Sequence, residues 1–153
     1  MTESDTNKRT PRSVLFACNH NAVRSVMAAA IARHLLGPKF EVMSCGVRAS
    51  PVNPFVIAAM EEIGIDVSDH QPHRFSDLEN PDFDAIISLT PEAQHQAVEF
   101  TRHSDVSIVY WPTHDPTLAM GNREQVMHAF REVRDHLAGQ IRSFFHIQPT
   151  PNA

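Results

Sequence analysis

Cys18 and Arg24 bracket the segment CNHNAVRS, Cys18 to Ser25, directly behind the apolar run SVLFA. A thiol at the end of a strand, then five residues, then a guanidinium and a hydroxyl where a helix begins, is an arrangement suited to one task. It holds a tetrahedral oxyanion over a thiolate. The intervening residues Asn19, His20, Asn21, Ala22 and Val23 can curl so that successive backbone N–H groups point inward. Such a nest, the helix N-terminus and Arg24 would together bind a dianion. The same positive surroundings would favour the thiolate of Cys18 and make it a nucleophile. Arg24 offers a planar, bidentate match to two oxygens that a lysine cannot copy. Ser25 can donate its hydroxyl to the thiolate.

The elements that must position these residues can be read from the hydrophobic pattern. Ser13 to Ala17 reads as a buried strand, and Arg24 to Leu36 as a helix with Met27, Ile31 and Leu35 at i+4 steps. Phe40 to Cys45 is a second strand, ended by Gly46. Asn53 and Pro54 supply an N-cap and an N1 proline for a helix that buries Val56, Met60 and Ile63 and stops at Gly64. Asp66 to Pro81 is polar loop with room for a short helical turn. Ala85 to Leu89 and Val106 to Trp111 are further strands, with a helix opened by Pro91 between them. Val126, Phe130, Val133, Leu137, Ile141 and Phe144 mark a long final helix, with Arg123, Glu124, Arg131, Arg134 and Asp135 on its wet side.

The strands are continuously apolar and alternate with helices. This predicts an α/β fold of three layers, a four-stranded parallel sheet with helices on both faces, Rossmann-like. Ligands in such sheets collect beyond the carboxyl ends of the strands. Cys18, Cys45, Thr90 and the loop from Trp111 to Pro116 all fall at that edge.

The chain has 153 residues, enough for one domain with a full core, and a formal net charge of -5. The expected organisation is a flexible segment over 1–12, a domain over 13–146 and a flexible tail over 147–153. No long basic stripe favours nucleic acid, and no apolar run approaches membrane-spanning length. No secretory signal opens the chain, and two cysteines are too few for a disulfide framework, so a cytoplasmic location is expected.

Several segments together resemble the low-molecular-weight protein tyrosine phosphatase family and its thioredoxin-coupled arsenate reductase relatives. They are VLFACNHNAVRSVMAAA (Val14 to Ala30), VMSCG (Val42 to Gly46), NPFVIAAMEEIGIDVSDH (Asn53 to His70), DAIISL (Asp84 to Leu89), YWPTHDP (Tyr110 to Pro116) and the final helix. The resemblance runs from about Ser13 to Phe145 and implies the phosphotyrosine protein phosphatase I-like fold. It also implies roles: Cys18 as nucleophile, Arg24 as oxyanion clamp, and Asn21 holding the phosphate loop through an unusual backbone conformation. Ser44 and His70 match the positions that complete the supporting network. Asp115 is the candidate general acid, because a phosphomonoester needs a proton on its leaving oxygen while the thiolate attacks from the opposite side. The expected activity is hydrolysis of a phosphomonoester through a phosphocysteine, with no metal or other cofactor. Phosphate or a similar oxyanion is the expected ligand, carried by a phosphorylated small molecule or a phosphotyrosine protein, with no nucleic acid or membrane partner.

The chain departs from the family in places. His20 stands where the phosphate loop usually has glycine, and Thr117 and Leu118 follow Asp-Pro where tyrosine phosphatases of this kind carry aromatics. Arsenate reduction is the main alternative, and it needs further thiols in relay. The thioredoxin-coupled relatives carry a resolving cysteine just after the third strand, and this chain has Thr90 there, with no cysteine from Pro91 to Phe100. A non-catalytic oxyanion-binding module is a further alternative. Cys45 is read either as a small buried filler or as a redox partner within reach of Cys18. A metal site from Cys18, Cys45, His20 and His70 is disfavoured by the positive charge of Arg24.

Overall fold

The computed structural model describes residues 11–79 and 81–147. Most of the terminal segments expected to be flexible, 1–10 and 148–153, lie outside the described residues. The elements follow the expected alternation. β1 (Ser13–Cys18) leads to α1 (Arg24–Leu36), β2 (Glu41–Gly46) to α2 (Pro54–Glu61), β3 (Ala85–Ser88) to α3 (Pro91–Phe100), and β4 (Ser107–Tyr110) to α4 (Arg123–Phe144). Two short 3-10 turns, Phe75–Asp77 and Pro116–Leu118, interrupt the longer loops. The strands form one parallel sheet in the order β2-β1-β3-β4. β1 is therefore central, and its carboxyl end opens where the strand order reverses, the usual ligand position in such sheets.

Alternation along the strands divides the core into two layers. Val14, Phe16 and Ile87 face α1, α2 and α4, together with Met27, Met60, Phe130 and Leu137. Leu15, Ala17, Cys45 and Ile86 face α3 through Ala93 and Ala97, and also meet Phe75. Because both faces are covered, the strands carry apolar residues at nearly every position, the pattern that distinguishes parallel sheets. Trp111 is part of this packing. Its ring meets Phe16 at 6.2 Å and Phe144 at 5.6 Å.

Two details differ from the sequence expectation. Ile63 is 42% exposed, since α2 ends at Glu61 and the chain turns away through Gly64, whose φ is +79. Arg134, expected on the wet side of α4, is buried. It reaches across to α2, where Nη1 donates to the Ala59 carbonyl at 2.7 Å and to Glu62 at 2.9 Å. A guanidinium can lie along a helix interface when its N–H groups find unsatisfied helix-end carbonyls and a carboxylate.

Candidate active site

β1 delivers Cys18 to the edge of the sheet, and the chain turns through Asn19–Val23 before α1 begins. The carbonyls of this turn are tied down by the segment that follows β2. Val47 N–H donates to the Cys18 carbonyl at 3.0 Å, Arg48 to Asn19 at 2.7 Å, Ser50 to His20 at 3.0 Å and Asn53 to Ala22 at 3.0 Å. In a trans peptide the following N–H points opposite to its carbonyl, and no peptide among the described residues is cis. The amides of Asn19, His20, Asn21 and Val23 are therefore turned away from this strap. The sequence contains the strap, but nothing in its composition marks it as the element that aims these amides.

Asn21 is the centre of the support. It is fully buried with φ +53, a left-handed conformation that asparagine tolerates better than most residues. Its Oδ1 accepts from the His73 backbone N–H at 2.9 Å and from His70 Nε2 at 3.1 Å. The same His70 nitrogen lies 3.1 Å from the Asn21 carbonyl, so it faces two acceptors and must carry the proton. Burial is the main cause holding the His70 pKa below its ordinary value, helped by the charges of Arg33 and His73 and opposed by the bond to Asn21. Asn21 Nδ2 donates to Ser44 Oγ at 2.9 Å and to Ser25 Oγ at 2.8 Å. Ser25 Oγ, having accepted from Asn21, keeps its own proton for Cys18 Sγ at 2.9 Å. The Ser25 backbone N–H lies 3.4 Å from the same sulfur. A continuous chain of donors thus runs from His70 and His73 to the thiol.

Arg24 occupies the first position of α1, a helix start with no side-chain cap and no acidic residue in its first turn. A guanidinium is disfavoured there unless an anion compensates the helix dipole. In the present arrangement its Nη1 donates to the Thr113 carbonyl at 3.0 Å, and Nη2 lies 3.9 Å from Asp115 Oδ2. Both partners belong to the loop after β4, so Arg24 ties that loop to the cysteine turn. Burial works to raise the Asp115 pKa. Bonds from the Thr117 hydroxyl and amide outweigh it, with the charges of Arg24 and His114, and hold the carboxyl below its usual value. Asn19 accepts from Thr90 Oγ1 at 2.6 Å, and His20 is exposed at the rim.

The structure brings Cys18, Asn19, Asn21, Arg24, Ser25, Ser44, His70 and Asp115 into one connected site. It does not bring Cys45 there. Register pairs Ala17 with Cys45 and Cys18 with Gly46. Side chains alternate, so Cys45 lies on the face of the sheet opposite Cys18, in the layer of Leu15 and Ala17. A bridge between cysteines whose Cβ vectors point apart needs backbone movement. This placement favours the reading of Cys45 as a small buried filler over that of a redox partner. Burial, with the negative charges of Cys18 and Asp77, pushes its thiol up beyond the usual range. Sequence reasoning also missed the His73 amide, the Thr113 carbonyl and the close approach of Gly46. Only Gly46 carried a signal, as a glycine where a strand meets a loop.

The fold and the turn around Cys18 define the class of cysteine-based enzymes of the phosphatase and arsenate-reductase type. Residues 13–148 match the family described as low molecular weight phosphotyrosine protein phosphatase, and the chain belongs to it. An arsenate reductase of Shouchella clausii is 33% identical over 133 residues, covering 86% of this chain and 93% of its own. A solved arsenate reductase in its phosphate-binding state is 30% identical with a TM-score of 0.70, covering 88% of this chain and 97% of its own. The Erwinia amylovora tyrosine phosphatase shares the fold at a TM-score of 0.73 with 15% identity, covering 94% of this chain and 97% of its own.

Proposed function

We propose that the protein hydrolyses phosphomonoesters through a phosphocysteine on Cys18. The observation that carries this is the donor chain from His70 and His73 through Asn21 and Ser25 to Cys18 Sγ, with Arg24 and Asp115 beside it. The amides of Asn19, His20, Asn21 and Val23, the start of α1 and Arg24 cradle the phosphoryl oxygens. Ala22 serves by its backbone alone. These donors are fixed before the reaction and face the charge that spreads over the oxygens in the transition state. The Cys18 thiolate attacks phosphorus in line. As the S–P bond forms and the P–O bond breaks, the electron pair leaves with the leaving oxygen, which takes a proton from Asp115. Water then attacks phosphorus and gives its proton to Asp115. The S–P bond breaks, and Ser25 stabilises the departing thiolate. Asp115 must be protonated for the first step. The arriving dianion draws Arg24 toward itself and adds negative charge nearby, and both effects raise the pKa of the carboxyl.

The substrate supported is a phosphorylated small molecule or a phosphotyrosine protein in the cytoplasm. Thr117 offers a phenyl ring no aromatic face, which favours the smaller or more polar leaving group. The test is turnover of p-nitrophenyl phosphate with a chelator present. Cys18→Ser should abolish it while leaving the melting temperature close to that of the parent. Turnover in that variant would remove the nucleophile.

Similarity to arsenate reductases supports arsenate reduction as the rival reading. Against it stands the thiol inventory, since reduction needs electrons from further thiols. The chain has two cysteines, and Cys45 faces the other side of the sheet. Thr90, just past β3, caps α3 by accepting from the Ala93 N–H and donates its hydroxyl to Asn19. With thioredoxin, its reductase and arsenate supplied, NADPH consumption should not depend on arsenate. Sustained dependence would reverse the preference.

A further inference from the structure

Asp115 is the N-cap of the short turn Pro116–Leu118, and its two carboxylate oxygens have different surroundings. Oδ1 accepts twice from one residue, from the Thr117 backbone N–H at 2.9 Å and from the Thr117 hydroxyl at 2.6 Å. Oδ2 faces the guanidinium of Arg24 at 3.9 Å, beyond hydrogen-bond distance. Thr117 is exposed. The following proposal rests on the assignment of Asp115 as acid and base given above.

We propose that Thr117 is a positioning residue for the reaction, holding Asp115 Oδ1 so that Oδ2 is the oxygen that carries the proton. Arg24 is the group that would clamp the anion, so the carboxylate oxygen nearer Arg24 is the one nearer the reacting phosphoryl group. Oδ1 already has two donors, and a proton placed there would displace the Thr117 hydroxyl. Oδ2 can gain or lose a proton without disturbing either bond. The Thr117 hydroxyl donates to Oδ1 in both states, so the carboxyl keeps its orientation through the cycle. In the first step the Oδ2 proton passes to the leaving oxygen as the P–O bond breaks. In the second, a proton of the attacking water returns to Oδ2 as the S–P bond breaks. Thr117 changes protonation in neither step. A hydroxyl directly after Asp-Pro thus does in this chain something an aromatic at that position could not.

The test compares kcat/KM against pH for the parent, Thr117→Val, Thr117→Ser and Asp115→Asn, with phenyl phosphate and p-nitrophenyl phosphate. Valine keeps the branched shape and the backbone N–H but loses the hydroxyl. With phenyl phosphate, Thr117→Val should lose about 10-fold on the acidic plateau, where Asp115 is fully protonated and only orientation is at stake. Its basic limb should move upward by about half a pH unit, because a carboxylate that loses a donor holds its proton longer. The activated ester should lose less. Thr117→Ser should recover the profile. A Thr117→Val profile that superimposes on the parent, beside an Asp115→Asn variant that discriminates between leaving groups, would overturn the role of Thr117 alone. A Thr117→Ser variant as impaired as valine would also overturn it, by assigning the effect to the methyl group. An Asp115→Asn variant that fails to discriminate would overturn the acid role, and the Thr117 role with it.

Discussion

Gly46 lies against the peptide that joins His20 to Asn21. A Cβ built on Gly46 would stand 2.6 Å from the Asn21 nitrogen and would also meet the Arg48 carbonyl oxygen. The end of β2 and the cysteine turn therefore touch backbone to backbone, and this contact needs a residue without a side chain. Neither neighbour is the flexible end of a side chain, so neither can yield cheaply.

Gly46→Ala should therefore destabilise the protein by about 1–3 kcal/mol, the usual cost of forcing an extra carbon into a packed site. It should weaken phosphate binding as well, because the displaced peptide carries one of the amides that would cradle the anion. Chemical denaturation and calorimetric titration with phosphate measure the two effects. A variant with parental stability and parental phosphate affinity would show that the turn adapts freely.

Asp115→Asn should separate substrates by leaving group. Phenyl phosphate, whose leaving oxygen needs a proton, should lose roughly 10²–10⁴-fold in kcat/KM. p-Nitrophenyl phosphate should lose far less. An equal loss for both esters would remove Asp115 from proton transfer and leave it as a partner of Arg24.

His70 sets a pH dependence of stability. Its pKa in the folded protein lies below the ordinary value of 6.5, chiefly because burial disfavours the charged ring. The unfolded chain therefore binds the proton more readily. The stability contributed by neutral His70 is complete above about pH 6.5 and is lost as pH falls through that value toward the folded pKa. Glu62 follows at lower pH. Hydrogen bonds from Arg131 and Arg134 lower its pKa from 4.5 to about 2, so its contribution is lost as pH falls from 4.5 toward that value. Melting temperatures measured between pH 7.5 and 5.5 should fall in the parent. They should fall less in His70→Gln, whose amide can still donate to Asn21. Parallel curves would place the titration elsewhere.

Mild peroxide should oxidise Cys18 and leave Cys45 a free thiol. Cys45 is fully buried in the α3 layer, and its raised pKa leaves it little thiolate. Mass spectrometry of cysteine-containing peptides reads the outcome. An intramolecular Cys18–Cys45 disulfide, reversed by reductant together with activity, would show that the edge of the sheet rearranges more readily than the strand register implies.

The alternation of elements is legible in the chain alone, because a parallel sheet covered on both faces needs apolar strands and periodic helices, and both patterns are local. The sequence also marked Cys18, Arg24 and Ser25, since all three lie within one strand-to-helix turn. The tertiary structure alone decided which distant groups complete that turn. His73 contributes a backbone N–H, Thr113 a backbone carbonyl, and Val47, Arg48, Ser50 and Asn53 contribute amides, none of which depends on residue type. Strand register, likewise invisible in composition, put Cys45 on the far face of the sheet. Arg134 was misplaced for a related reason, because helical periodicity gives a face but not the unsatisfied carbonyl waiting across the interface. Side-chain chemistry is written in the chain, whereas backbone groups are the same at nearly every position, and only the path of the chain gives them a direction.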